Sequence, residues 1–137
     1  MSKRTLTAIA AMITIGCITV SAQTLTTLHS FSGGDGQSPD AALVQGTDGN
    51  FYGTTAFGGT HFRGTAFKID ATGNLTTLQS FSGPPSEGSV PFAGVIQGTD
   101  GNFYGTTAAG GAHGEGTVFQ LTSKQRLEAV SIGSCSR

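Results

Sequence analysis

Polar and aromatic side chains that could bind a ligand occur twice in the chain, at matching positions. Each copy places an aspartate, an asparagine and a tyrosine at alternate positions, and a histidine follows further along. Carboxylate and amide oxygens suit hard cations such as Ca²⁺, and aromatic rings can stack on sugars. The candidate ligand-binding residues are therefore Asp48, Asn50, Tyr52, His61, Asp100, Asn102, Tyr104 and His113.

A structural explanation competes with ligand binding at the two Asp-Gly-Asn segments. Asp48 and Asp100 each precede a glycine and lie between strand-like segments, which is a strong hairpin signal. Aspartate in such a turn hydrogen-bonds to its own backbone, and glycine accepts a positive φ. The alternating acidic residues and the distal glutamate of an EF-hand loop are absent. The pattern therefore favours turns over calcium loops.

The remaining candidates have equally plain explanations. His61 and His113 have no cysteine and no second histidine at metal-ligand spacing, so we predict no metal site. Tyr52 and Tyr104 follow Phe51 and Phe103, and aromatic residues in strands more often pack in a core than bind sugars. The sequence contains no P-loop and no Gly-x-Ser-x-Gly elbow. We therefore predict no cofactor, no catalytic residue and no enzymatic activity.

These candidates belong to an internal repeat. The twelve residues QGTDGNFYGTTA at 45–56 recur unchanged at 97–108, and LTTLHSFSG at 25–33 returns as LTTLQSFSG at 75–83. The loop after the second of these segments is two residues longer than the loop after the first. We predict repeat 1 at 23–74, repeat 2 at 75–122 and a divergent tail at 123–137 that begins a truncated third repeat.

Each repeat contains four segments typical of short strands. In repeat 1 they are LTTLHSF, AALVQGT, NFYGTTA and GTAFKID, and they are rich in valine, threonine and aromatic residues. Four antiparallel strands in about fifty residues is the period of a β-propeller blade. The predicted fold is all-β, with two four-stranded propeller-like units in an incomplete array. Because two blades cannot close a ring, we expect self-association or a longer parent array.

The N-terminus has the features of a secretory signal. Lys3 and Arg4 precede an apolar stretch, and Val20-Ser21-Ala22 suits cleavage before Gln23, so residues 1–22 are the predicted signal peptide. Cys17 offers the alternative of a lipoprotein anchor. Cleavage leaves five basic and eight acidic residues, so we expect no nucleic-acid partner. We also expect no stable membrane span after cleavage, and a secreted or periplasmic location.

The repeat unit resembles the GloVer tandem repeat. The resemblance rests on Leu-x-x-Leu-x-Ser-Phe, Gln-Gly-Thr-Asp-Gly-Asn-Phe-Tyr-Gly-Thr-Thr and Gly-Thr-x-Phe-x-Ile/Leu, and it covers residues 25 to about 122. It implies a bacterial exported protein with a propeller-like fold, and it implies no catalytic activity. We therefore expect a secreted repeat protein with a structural or interaction role, whose partner is a surface glycan or protein. A carbohydrate-binding, lectin-like propeller segment is the alternative.

The loops that follow Phe31 and Phe81 are the least similar parts of the two copies. The first loop runs from Gly33 to Asp40, and the second, which carries the extra residues, includes Pro84 to Val90. Surface loops tolerate such length changes and often carry binding residues. If the family has a specificity-determining surface, we expect it in this variable loop.

Overall fold

The structure is a computed structural model that describes residues 22–122. The predicted signal peptide up to residue 21, the lipoprotein alternative at Cys17 and the predicted tail at 123–137 lie outside the described residues. Across this range we find no helix with the length and apolar content that a bilayer crossing requires.

Residues 22–122 form β-strands joined by turns and loops, without a helix. The prediction of an all-β fold is therefore confirmed. Five of these strands have five or six residues, and the other four are two-residue segments. The strands are β1 (Val44–Gln45), β2 (Phe51–Thr55), β3 (Thr65–Ile69), β4 (Leu75–Ser80), β5 (Gly88–Ser89), β6 (Ile96–Gln97), β7 (Phe103–Thr107), β8 (Ala109–Gly110) and β9 (Thr117–Leu121).

The first sheet has four antiparallel strands in the order β1-β2-β3-β4. Tyr52 of β2 is paired with Val44 on one side and with Lys68 on the other. β4 pairs with β3, and the register of this pair shifts at a bulge between Ala66 and Phe67. Because β4 begins at Leu75, this sheet takes its last strand from repeat 2. The sheet therefore crosses the repeat boundary predicted at 74/75.

The second sheet repeats the first three strands of this arrangement, in the order β6-β7-β9. Tyr104 of β7 is paired with Ile96 and with Gln120, at positions equivalent to those around Tyr52. The short pair β5-β8 lies beside it, and the single bridge between Gln37 and Phe57 occupies the same place in the first copy. The described residues thus contain one sheet of four strands, one of three and one of two.

The segment LTTLHSF at 25–31 was predicted to be a strand, and this prediction is wrong for the first copy. Residues 25–31 have no strand assignment, whereas LTTLQS of the second copy forms β4. The two segments differ in this span only at His29 and Gln79. The difference therefore comes from the partner, since β4 lies beside β3 and residues 25–31 have no strand beside them within 22–122.

The hairpin turns lie where the Asp-Gly pairs predicted them. The Gly46 N–H donates to the Asn50 carbonyl at 2.8 Å, and the Gly49 N–H donates to the Gly46 carbonyl at 3.0 Å. Gly49 has a φ of 83°, which favours glycine because it has no Cβ. The longer turn predicted from Asp70 to Asn74 connects β3 to β4.

The core lies between the two sheets. Tyr52, Val95 and Phe103 are its buried members, and Val44, Leu78, Phe119 and Leu121 pack against it. The Tyr52 and Phe103 rings stack with centroids 3.8 Å apart and planes 24° apart. Two copies of the same aromatic hairpin are therefore packed on each other, and burying these rings supplies much of the apolar stabilisation.

Candidate functional site

The first group of candidate residues forms a closed hydrogen-bond network within one hairpin. The Asn50 N–H donates to Asp48 Oδ1 at 3.1 Å, and Asn50 Nδ2 donates to Asp48 Oδ2 at 2.8 Å. The Tyr52 hydroxyl donates to the same Oδ2 at 2.8 Å. A cation at this carboxylate would have to displace these donors. The geometry brings Asp48, Asn50 and Tyr52 together as parts of the turn.

The second hairpin repeats the network. Asn102 donates to Asp100 at 3.1 Å from its backbone N–H and at 2.8 Å from Nδ2, and the Tyr104 hydroxyl donates to Asp100 Oδ2 at 2.6 Å. Gln120 Nε2 donates to the Tyr104 hydroxyl at 2.8 Å. The second copy is more open to solvent than the first.

The charges in these networks are fixed by their hydrogen bonds. Desolvation opposes the shift, but the donors on Asn50 and Tyr52 lower the pKa of Asp48. Burial, together with the Asp48 carboxylate, raises the pKa of Tyr52 to about 12. Hydrogen bonds from Tyr104 and Asn102 likewise lower the pKa of Asp100. Each aspartate is therefore ionised and each tyrosine is protonated at neutral pH, which suits a structural turn rather than proton transfer.

His61 and His113 lie apart from these networks, in exposed loop turns. The turn at His61 is closed by the Phe62 N–H donating to the Gly59 carbonyl at 3.2 Å, and the turn at His113 by the Gly114 N–H donating to the Gly111 carbonyl at 3.2 Å. Among residues 22–122, no group of three or more histidine, cysteine, aspartate or glutamate side chains is placed to hold a metal ion.

Sequence reasoning missed an acidic anchor in each variable loop. Asp35 Oδ1 accepts hydrogen bonds from the Ser32 N–H at 2.8 Å and from its hydroxyl at 3.0 Å, and Asp35 Oδ2 lies 2.7 Å from His29 Nε2. The Ser32 N–H is the largest cause that lowers the pKa of Asp35 to about 2, and desolvation opposes it.

The longer loop of the second copy has the same anchor with different residues. Glu87 accepts from the Ser82 N–H at 2.9 Å, from the Ser82 hydroxyl at 2.8 Å and from Gln79 Nε2 at 3.1 Å. The exchanges of histidine for glutamine and of aspartate for glutamate therefore keep one donor and one acceptor in place. The signal available in the sequence was an acidic residue shortly after the Phe-Ser-Gly segment of each copy, three residues after Ser32 and five after Ser82.

Buried threonine pairs were also missed. The Thr55 and Thr65 hydroxyl oxygens are 2.8 Å apart, and the Thr65 N–H donates to Thr55 Oγ1 at 3.1 Å. Thr107 and Thr117 repeat the hydroxyl contact at 2.9 Å. These pairs join neighbouring strands beside the variable loop. They explain why these threonines recur at matching positions in each copy, since the paired hydroxyl groups satisfy each other away from solvent.

The two copies meet in a junction made of unlike faces. Besides the stacking of Tyr52 on Phe103, the Thr47 N–H donates to Gln97 Oε1 at 3.0 Å. The Thr54 hydroxyl donates to the Ala93 carbonyl at 2.9 Å. The repeated motif therefore supplies one side of the junction from the first copy and the other side from the second.

A groove of about 350 Å³ follows the outer edge of β9. One wall is β9 itself, from Thr117 to Leu121, and the other contains Gln79, Phe81 and Glu87. The variable loop of the second copy thus borders a surface opening. None of the eight candidate ligand-binding residues lines this groove.

Comparison with known proteins identifies the repeat. The family model described as the Gloeobacter/Verrucomicrobia repeat matches residues 14–133, which extends beyond both ends of the described range. No significant match was found among curated proteins or among solved structures.

Proposed function

Because the chain belongs to the Gloeobacter/Verrucomicrobia repeat family, we propose that it is a secreted β-repeat protein with a structural or interaction role and without catalytic activity. The observation that carries the proposal is the use of the repeated motif. Its aspartates, asparagines and tyrosines bond within their own turns, and its aromatic rings pack in the core. Residues shared by both copies therefore build the fold.

The proposal includes a propeller-like arrangement of the units. Two features support it: antiparallel sheets with the same strand register pack face to face, and the first sheet takes its last strand, β4, from the following repeat. Repeat proteins of this kind present variable loops on a constant scaffold. The variable loops after Phe31 and Phe81 are then the place to look for recognition.

Export is tested by the N-terminus of the mature protein. The basic Lys3 and Arg4 and the small residues Val20-Ser21-Ala22 support cleavage by signal peptidase. Expression of the full chain in a Gram-negative host should give a protein that starts at Gln23 by mass spectrometry, in the periplasm or medium. An uncut cytoplasmic chain would contradict secretion. A lipid on Cys17 would instead show that the protein is exported as an anchored lipoprotein.

Carbohydrate binding is a second candidate, and exposed phenylalanines favour it. Phe57 and Phe92 are 42% and 54% exposed, and their rings pair edge to face with centroids 6.3 Å apart. Phe62 lies in the neighbouring loop and is 78% exposed. The second copy has Ala109 and Gly114 where the first has Phe57 and Phe62. These rings are therefore available for stacking on sugars and are not required by the repeat.

A glycan array separates this candidate from a purely structural role. The wild-type protein should bind at least one glycan, and Phe57→Ala together with Phe92→Ala should weaken binding at least tenfold. Ile96→Ala is the matched control, because Ile96 is also exposed and apolar but lies in β6. Absence of binding at high protein concentration, or equal binding by all variants, counts against a lectin-like role.

The absence of catalysis is a separate expectation. Hydrolysis of a glycan, peptide or ester substrate by the purified protein would contradict it, provided that the activity disappears in the double variant His61→Ala/His113→Ala. Both histidines are exposed, so these substitutions should leave the fold intact.

A further inference from the structure

The junction between the two copies has two different faces. We define the trailing face by Thr47, Tyr52 and Thr54 of the first copy, and the leading face by Ala93, Gln97 and Phe103 of the second. Tyr52 stacks on Phe103, and the Thr47 N–H and Thr54 hydroxyl donate to Gln97 and Ala93. The contact combines an aromatic stack with specific hydrogen bonds, so it fixes both distance and register.

The chain carries a second trailing face and a second leading face, made of the same residue types. The second trailing face is Thr99, Tyr104 and Thr106, and the second leading face is Ala41, Gln45 and Phe51. Thr54 is buried in the junction, whereas the equivalent Thr106 is exposed. Phe103 is buried, whereas the equivalent Phe51 is only partly so. Each end of the described array therefore presents one half of the junction whose aromatic ring is less buried than its equivalent between the copies, and we call these two halves the uncovered faces.

The outer edge of β9 is also uncovered among residues 22–122. In the first sheet β4 pairs with the outer edge of β3, and Ala66 there is 0% exposed. The equivalent Val118 of β9 is 77% exposed, although it is an apolar strand residue. β9 reads TVFQL and has neither the charge nor the proline that commonly protects an edge strand from pairing.

The sequence that pairs with β3 has a duplicate near the N-terminus. β4 is LTTLQS, and residues 25–30 are LTTLHS. Leu25 is 100% exposed, and the segment has no strand partner within the described range. Transferring the β3-β4 register predicts Leu25 opposite Leu121, Thr27 opposite Phe119 and His29 opposite Val118. No Asp, Glu, Lys or Arg occurs in either segment, so charge repulsion does not oppose this pairing.

We propose that copies of this protein associate head to tail through this surface. Residues 25–30 of one copy pair with the outer edge of β9 of another, and the uncovered leading face packs on the uncovered trailing face. The contact reproduces between chains the junction that the two repeats make within a chain. Such a contact joins unlike faces, so repetition leads to a closed ring or to an open filament. The inference does not depend on secretion or on glycan binding.

Cysteine pairing tests the register directly. In a background of Cys17→Ser and Cys135→Ser, one chain carries His29→Cys and a second carries Val118→Cys. Directly opposed residues in an antiparallel pair have Cβ atoms about 5 Å apart, which is close enough for a disulfide after small adjustments. Mixing the two chains under mild oxidation should give the mixed dimer at least tenfold faster than either chain pairs with itself.

A matched chain with Gln23→Cys is the control for proximity. Gln23 lies six residues before His29, about 20 Å away in an extended segment. The Gln23→Cys chain should therefore cross-link to Val118→Cys at least tenfold more slowly. Equal rates for the two chains would overturn the proposal. An internal disulfide in a single chain with Val118→Cys and Ser131→Cys would also overturn it, because residues 127–132 would then occupy the β9 edge.

Proline substitution tests the backbone pairing. Successive N–H groups of a strand point to opposite sides, so Thr26→Pro/Thr27→Pro removes at least one donor that faces β9. Both threonines are exposed in the single chain, so the variant should still fold and unfold cooperatively, and it should lose only the stability that association adds. Association should weaken at least tenfold, whereas Gln23→Pro/Thr24→Pro should associate as the wild type does. Unchanged association in the first variant would contradict the strand pairing.

Discussion

At the scale of single residues, an aspartate side chain accepts the hydrogen bonds that stabilise each hairpin turn of the repeated motif. Asp48 accepts three hydrogen bonds from Asn50 and Tyr52, and Asp100 accepts the same three from Asn102 and Tyr104. The chemical groups are identical but their surroundings differ, because Tyr52 is buried against Phe103 and Tyr104 is more exposed. The two copies therefore provide an internal comparison of the same contact in two environments.

Removing the tyrosine hydroxyl should destabilise the first copy more than the second. Tyr52→Phe deletes a part-buried hydrogen bond from a core tyrosine to the ionised Asp48 carboxylate, which typically costs about 1.5 kcal/mol. Tyr104→Phe should cost clearly less, since water can replace the lost donor at the more exposed site. Urea unfolding of the two variants measures the difference. Equal losses would show that burial does not distinguish the two networks.

The Asp35 anchor predicts a specific dependence on acid. Its pKa is lowered from 3.8 to about 2 in the folded protein, first by the Ser32 N–H and then by the His29 and Ser32 side chains. The folded state therefore favours the ionised form, and this contribution to stability is present above about pH 4. It should be lost as the pH falls from about 4 towards 2.

The variant Asp35→Asn isolates this contribution. Its free energy of unfolding should lie below that of the wild type at pH 7, and the gap should narrow between pH 4 and pH 2. Asp40→Asn is the control, because Asp40 is exposed at the end of the same loop. Denaturant titrations across this pH range measure the gap. A gap that stays constant down to pH 2 would contradict the role of the carboxylate.

At the scale of elements, the loop before β3 passes close to the second unit. Gly64 has a φ of 97°, and its carbonyl accepts the Phe81 N–H at 3.0 Å just after β4. A Cβ at this position would lie 2.5 Å from the Thr55 carbonyl oxygen and 2.6 Å from Pro91 Cδ. Backbone on one side and the second copy on the other therefore leave room for glycine alone.

Gly64→Ala should be much more destabilising than Gly114→Ala. Gly114 has a φ of 82° but open space around its missing Cβ. Backbone strain alone should cost about 1 kcal/mol at Gly114, and the added clash should bring the cost at Gly64 to about 3 kcal/mol. Thermal unfolding of both variants gives the comparison. Similar melting temperatures would mean that the loop between β2 and β3 moves away at little cost.

Local patterns predicted the elements whose partners are near in sequence. The turns at Asp48 and Asp100 follow from Asp-Gly between strand-like segments, and β2 and β3 lie where Phe51 and Phe67 suggested. Residues 25–31 were misjudged because strand formation there depends on a partner that the local sequence does not contain. The Thr55-Thr65 pair was missed because its two residues come from different strands.

The candidate site shows the same division between features that local sequence predicts and features that it does not. That Asp48, Asn50 and Tyr52 belong to one turn could be predicted from their spacing. The groove along β9 and the uncovered faces could not, because Phe51 and Phe103 have identical neighbours in sequence and differ only in what packs on them. Such differences arise from the position of a unit in the array and not from its residues.

At the scale of the whole molecule, the repeat gives every unit both a trailing face and a leading face for the same junction. Within the chain, the first unit offers Tyr52 and the second offers Phe103. Between chains, Tyr104 and Phe51 would meet in the same way, and residues 25–30 would complete the sheet of β9. Propellers usually contain about four to eight blades, so two to four chains of two units each satisfy a closed ring.

The molar mass of the purified protein by light scattering tests this account most directly. We predict a discrete mass of two, three or four chains at micromolar concentration if the contact closes a ring, or a larger mass that grows with concentration if it builds a filament, and a mass of one chain in Thr26→Pro/Thr27→Pro. A wild-type mass of one chain across the whole accessible concentration range, with cooperative unfolding, would contradict it.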